Sequence, residues 1–350
     1  MKITCRILFG IFIACILWGC SSHEDVDGSN DSSSSSIQVT VLFEPGQIGD
    51  RGYADHIMSS IPQIEKLQTA DKSSHIDAQF LAFNSQRETL EGLRQWSLHR
   101  ENPFLGGSYQ RRLLVLTDAQ QASLLDSISL EEPHDEVLML NTPPSFVDSL
   151  AEARWGNHIH VLNISISKEV KQLCRYINRS RENNDSVLPA DIMLFRKHDG
   201  GHVGDSASIA IASFQQPAIN VIQNSWDSLK TDPGEDSFAQ GVKYAYDMAI
   251  FMYALIGYNS QHLYFFLHDG GIYNLGFLAV GVIEELMPVT YLDTDVEDDN
   301  FQFSIKRQYA QALVDWVRRW RASKSVDSIP RVLWHGSWDG YVDSTVPDVK

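Results

Sequence analysis

From residue 37 onward, short β-rich runs alternate with longer stretches of helical spacing, and that alternation admits few architectures. Ile37-Gln38-Val39-Thr40-Val41-Leu42-Phe43 is a β-rich run ending in Glu44-Pro45-Gly46. Helical spacing follows over 54–67, and a second apolar run over 112–116 lies between helical candidates at 86–99 and 119–127. Further strands are predicted at 137–140, 160–164, 192–195, 218–222, 263–267 and 289–292, and a closing one near 331–342. Long helices are predicted at 238–256 and 306–323. Strands alternating with helices of this length form mostly parallel sheets covered by helices on both faces. Two such units of comparable size make an α/β chain of two lobes.

The N-terminal residues set the compartment. Lys2 and Arg6 precede an apolar stretch over 7–16, and Leu17-Trp18-Gly19-Cys20 follows it. This is the layout of a secretory signal, too short to span a bilayer as a stable helix. Ending on Cys rather than Ala-x-Ala, it looks like a bacterial lipobox, with 1–19 the lipoprotein signal peptide and Cys20 the lipidated first residue. Residues 20–36 then form a flexible Ser/Asp-rich linker that lacks the apolar area to fold. The expectation is a palmitate-carrying lipoprotein of a bacterial cell envelope, at the outer membrane or cell surface rather than the inner membrane. Of four cysteines, Cys5 and Cys15 leave with the signal and Cys20 carries lipid, so Cys174 has no partner for an internal disulfide. The net charge is −17, and loss of Lys2 and Arg6 makes the mature chain two units more negative. Such a surface repels phosphate backbones, which argues against nucleic acid as a partner.

Sheets of this kind bind ligands beyond the carboxyl ends of their strands, and polar residues gather there. Gly49-Asp50-Arg51-Gly52-Tyr53 follows the first strand, and Asp118 follows the 112–116 strand. Asn224-Ser225-Trp226-Asp227 follows the 218–222 run, and Asp293-Thr294-Asp295 follows Tyr291-Leu292. His-Asp-Gly-Gly occurs twice just beyond a strand, at 198–201 and as His268-Asp269-Gly270-Gly271. Paired glycines let the backbone turn sharply or approach a ligand closely. One such Asp is most simply a helix N-cap. Several together, with aromatics in two of the loops, point to a shared cleft.

Enzymatic signatures are few. Gly336-Ser337-Trp338-Asp339-Gly340 lacks the spacing of a nucleophile elbow, and neither a His-Glu-x-x-His helix nor a P-loop occurs. His158 and His160 alternate on a predicted strand as zinc ligands could, although a surface pair on an edge strand is the better reading. No cofactor and no metal are expected.

Taken in order, these segments resemble the basic membrane protein family of lipoproteins, the purine nucleoside receptor type. Residues 49–53 stand where that family carries Asp-Asp-Lys-Ser-Phe-Asn, and residues 224–227 look like its Gly-Ser-Phe segment. Residues 268–276 resemble its Gly-rich turn, and Asp293-Thr294-Asp295 with Ser304-Ile305-Lys306-Arg307 its Asp-x-Asp and Ser-x-x-Lys-Arg. Trp338-Asp339-Gly340-Tyr341-Val342 is similar to its closing strand. The resemblance implies a type I periplasmic-binding-protein fold with three hinge crossings. The first lobe would comprise 37–160 and 288–323, and the second 161–287 and 324–350. It implies capture of a nucleoside-like ligand for an ABC permease. Tyr53 and Trp226 would sandwich the base, and Asp293 with Asp295 would accept the ribose hydroxyls. Asp50, Asp118, Asp269, Gly270 and Gly271 would line the cleft, and Lys306 would stand near the Asp-x-Asp loop. The chain departs from the pattern at Gly49 and Ala54, where the family has Asp and Asn. A scaffold lipoprotein with the same fold, or a hydrolase acting on a nucleoside-like substrate, stays open on these residues.

Overall fold

The computed structural model describes residues 35–43, 48, 53–67, 74–83, 85–101, 108–117, 119–130, 134–142, 158–182, 190–196, 219–225, 263–268, 289–292, 303–323 and 329–348. The predicted signal, Cys20 and nearly all of the linker lie outside the described residues.

Twelve strands are described, in two six-stranded sheets. The first holds β1 (Ser35–Leu42), β2 (Ser74–Leu81), β3 (Arg111–Leu116), β4 (Asp135–Leu140), β5 (Ile159–Ile164) and β11 (Val332–His335), in the order β11-β5-β4-β3-β1-β2. Every pairing in it is parallel. The second holds β6 (Ala190–Arg196), β7 (Ile219–Ser225), β8 (Leu263–His268), β9 (Val289–Leu292), β10 (Phe303–Arg307) and β12 (Val342–Ser344), in the order β12-β10-β9-β8-β6-β7. It is parallel except where β12 runs antiparallel to β10. Both sheets share one winding, in which the third strand laid down returns to the far side of the first. The two-lobed α/β expectation holds, and the lobes repeat in topology without a sequence repeat.

Burial explains which strands were legible. β4 is buried along its whole length and β3 over all but its first residue, and within them residues 113–116 and 137–140 read as continuous apolar runs. β2 is an edge strand in which Ile76 and Ala78 are buried while Asp77 and Gln79 are only partly so. With that alternation β2 carries no continuous apolar run. β10 alternates in the same way, burying Phe303, Ile305 and Arg307. Its polar Ser304 and Lys306 resemble a helix start, yet the helix begins at Tyr309.

The helices cover the first sheet on both faces. The single helix expected over 54–67 is two, α1 (Tyr53–Met58) and α2 (Ile61–Glu65), interrupted at Ser59 and Ser60, with Pro62 in the first turn of α2. Ala54, Ile57, Ile61 and Ile64 are buried in one cluster with Leu313, Trp316, Val317 and Trp320 of α5 (Tyr309–Ala322). On the opposite face, α3 (Gln86–Leu98) is capped by Ser85, whose Oγ accepts from Glu88 N at 3.3 Å. It buries Leu93 and Trp96 with Leu114, Leu116, Val137 and Met139. α4 (Ser167–Glu182) turns toward the second sheet, where Tyr176 meets Phe303 edge-on at 5.0 Å and Gln172 donates to Asp348 at 2.7 Å. Burial on α4 raises the Cys174 thiol to about 12.

The lobe boundaries differ from those expected. Residues 288–323 do not stay together, because β9 and β10 pair in the second sheet while α5 packs on α1 and α2. β5 stays in the first sheet beyond residue 160. The C-terminal region supplies β11 to the first sheet and β12 to the second, rather than returning whole to one lobe. Strand allegiance depends on pairing distant in sequence, which local patterning does not encode. The chain therefore passes between sheets at 165–166, at Gln308 and at 336–341. These passages are bonded together, Ser165 N donating to His335 O and Gln308 N to Tyr341 O, both at 2.8 Å.

Charge is buried at the amino end of the first sheet. Glu136 accepts from Arg111 Nη2 at 2.8 Å and faces His160 Nε2 at 3.3 Å. His160 lies edge-on to Trp316, and His158 Nδ1 lies 3.2 Å from Asp135 O. Both histidines are buried, so the reading of a surface pair is corrected. Among the described residues no group of side chains could hold a metal ion. Burial opposes ionisation of Glu136, but His160, Arg111 and Trp320 outweigh it and hold the carboxyl below its ordinary value. A depressed carboxylate stabilises the fold above its unfolded pKa of about 4.3. That contribution is lost as pH falls through the lower folded value. Glu136→Gln is therefore expected to have a lower urea midpoint than the parent at pH 7. The gap should narrow as pH drops below about 4, whereas a gap independent of pH would remove this carboxylate from the acid response.

Candidate functional site

In an open sheet of this winding, the crevice opens where successive connections leave in opposite directions. Those points lie between β1 and β3 in the first sheet and between β6 and β8 in the second. At the first, Thr117 Oγ1 donates to Leu42 O at 2.9 Å and Gln121 Nε2 donates to the same oxygen at 3.3 Å. These bonds fix the strand ends that Asp50 and Asp118 follow in sequence. Phe43, just past β1, is fully buried and meets Phe80 edge-on at 6.3 Å.

In the second sheet the strand ends lie abreast. Arg196 is in register with both Ser225 and His268, and His268 with Leu292. The next residues in sequence are Lys197, Trp226, Asp269 and Asp293. Neighbouring strands are about 4.8 Å apart, so Ser225 and Leu292, three spacings distant, are separated by roughly 14 Å. One strand-end row thus leads into three of the residues singled out in the sequence. Trp226, Asp269, Gly270, Gly271, Asp293 and Asp295 themselves lie outside the described residues, as do Asp50 and Asp118.

Two expected positions are described in part. Tyr53 opens α1. Lys306 lies within β10, in antiparallel register with Asp343 of β12, and not on a helix. Ala54, where the resembled family has Asn, is a buried packing position of the first lobe. A small apolar side chain is what that helix interface requires.

The sequence reading missed a polar cluster where β4, β5 and β10 end. Asn163 Oδ1 accepts from Thr142 N and its Nδ2 donates to Thr142 O, each at 2.7 Å. Asn141 beside it accepts from Arg307 Nη1 at 3.0 Å. The available signal was Asn141-Thr142 standing directly after an apolar strand and before Pro143.

No family profile matches the chain, and no curated protein matches it in sequence. Solved structures do match it in fold. A glucose-galactose binding protein, GanP, from Geobacillus stearothermophilus superposes with a TM-score of 0.55 at 10% identity, over 89% of this chain and 98% of that one. An ABC sugar transporter subunit from Rhodobacter sphaeroides 2.4.1 gives 0.54 at 10% identity, covering 90% and 99%. An ABC transporter solute binding protein from Agrobacterium vitis with bound allitol gives 0.54 at 13%, covering 90% and 96%. The chain has the two-lobed type I periplasmic-binding-protein fold.

Proposed function

We propose that this chain is a solute-binding protein that captures a small polyhydroxylated ligand between its lobes for an ABC importer. The observation that carries this reading is the aligned row of strand ends Ser225, Arg196, His268 and Leu292, which leads directly into Trp226, Asp269 and Asp293. An aromatic face supplies apolar area and quadrupole attraction to a flat ring with few rotatable bonds to freeze. A carboxylate can accept both hydroxyls of a vicinal diol, in bonds about twice as strong as neutral ones. A nucleoside offers a base for Trp226 and a ribose diol for Asp293. A free sugar or polyol offers the diol alone, and the proteins of similar fold include ones named for glucose-galactose and for allitol. The ligand we favour is nucleoside-like, bound without turnover.

Calorimetric titration of the chain with nucleosides, pentoses, hexoses and polyols tests the assignment. Asp293→Asn is expected to weaken binding by about 1.5–3 kcal/mol, the range for a hydrogen bond to a charged group, and Trp226→Ala to abolish it. A free sugar binding as well as the nucleoside that contains it would move the ligand class to sugars. Unaltered affinity in both variants would remove these residues from the site.

The proposal includes an envelope tether through lipid on Cys20, placed by the residues around it. Cys20→Ala is expected to lose labelling by radioactive palmitate and to leave the membrane fraction. Palmitate labelling that persists in the variant would rule out the anchor.

A further inference from the structure

We infer that Arg307 is an interlobe latch, carried on the backbone of the second lobe and held through its side chain by the first. Arg307 ends β10 and is 2% exposed. Its Nη1 donates to Asn141 Oδ1 at 3.0 Å and lies 3.4 Å from Tyr309 Oη, with the guanidinium carbon 4.9 Å from the centre of the Tyr309 ring. Tyr309 opens α5, on the first lobe, and is fixed there. Its Oη accepts from Ile164 N at 3.2 Å, at the end of β5. The guanidinium therefore reaches across the Gln308 crossing to two groups that belong to the other lobe.

Asn141 is the acceptor at the first-lobe end of this bond. Its φ is 53°, in the left-handed region that favours glycine and that asparagine tolerates better than most residues. The backbone beside it is held from β5, because Asn163 bonds both N and O of Thr142. Glycine would hold this backbone as readily, and what asparagine adds over glycine is the Oδ1 that accepts from Arg307. Rotation of the lobes carries Arg307 with β10 and Asn141 with β4, so this bond must break or re-form when their angle changes. The backbone bonds Ser165–His335 and Gln308–Tyr341 join the crossing segments themselves and can persist through the same rotation. A side-chain bond spanning the pivot biases the equilibrium between lobe orientations before any ligand arrives.

The inference rests on the two-lobed fold and not on what the cleft binds, so it is tested on the ligand-free full chain by small-angle X-ray scattering. Asn141→Gly keeps the left-handed backbone and removes the acceptor, so it should fold with an equal or higher melting midpoint. Its pair-distance distribution is expected to broaden and its radius of gyration to rise relative to the parent. Arg307→Gln should shift the curve in the same direction. A scattering curve for Asn141→Gly that superposes on the parent's, or a change confined to the melting midpoint, overturns the latch.

Discussion

Asp135→Ala is expected to lower the unfolding free energy of the first lobe by about 3–5 kcal/mol, the range for breaking a buried ion pair from one side. Asp135 is fully buried and accepts from Arg112 Nε at 2.8 Å, Arg112 Nη2 at 2.9 Å and Arg100 Nη2 at 2.8 Å. Arg112 is 1% exposed, donates to Trp96 O at 2.7 Å and lies 4.3 Å from the centre of the Trp96 ring. Removing the carboxylate leaves that guanidinium in apolar surroundings without its bidentate partner. The cost arises from the stranded charge, so removing both charges should recover much of it. Urea unfolding followed by tryptophan fluorescence should place Asp135→Ala/Arg112→Met closer to the parent than Asp135→Ala alone. A loss under about 1 kcal/mol in the single variant, as for exposed pairs, would show that water reaches the site.

Trp320→Ala is the second large effect, about 3–5 kcal/mol for removing a fully buried indole. Trp320 stacks on Trp316 at 6.3 Å, and the Arg111 guanidinium carbon lies 4.4 Å from its ring centre. Arg111 also donates to Trp320 O and Ser323 O, each at 3.0 Å, satisfying carbonyls at the end of α5. One residue thus links the helix end, the cation and the Glu136 network. A double-mutant cycle of Arg111→Met with Trp320→Leu should show a coupling of about 0.5–3 kcal/mol. Additive losses would mean that the ring and the cation act independently.

The architecture was legible where burial on both faces leaves an unbroken apolar run, as in Leu113-Leu114-Val115-Leu116 and Val137-Leu138-Met139-Leu140. It was hidden where a strand is half covered. β2 and β10 alternate buried and less buried residues, and the Ser304 and Lys306 positions were read as a motif and the start of a helix. Lobe membership was misassigned for 288–323 because β9, β10 and α5 find their partners through pairing and packing distant in sequence. Arg112 was counted within an apolar run, yet it and Arg111 are each matched to an acidic neighbour on β4, Asp135 and Glu136 respectively, which only the pairing of β3 with β4 reveals. In the second sheet the strand ends Ser225, His268 and Leu292 align, and Trp226, Asp269 and Asp293, which follow them in sequence, lie outside the described residues. Asn141 stands in no motif and Arg307 only closes the Ser-x-x-Lys-Arg resemblance, so their meeting, which depends on two sheets, left no local signal.

Thermal unfolding of the full chain against a panel of nucleosides, pentoses, hexoses, polyols and nucleoside triphosphates tests the central claim most directly. A ligand bound only by the folded state stabilises it by RT ln(1 + [L]/Kd), about 2.7 kcal/mol at a hundredfold excess over Kd. For a chain of this size that raises the midpoint by several degrees. The expected result is such a rise with a nucleoside or related polyhydroxylated ring and none with triphosphates, whose charge the acidic surface opposes. A midpoint unmoved by every neutral compound in the panel would contradict the solute-binding function and leave the fold alone standing.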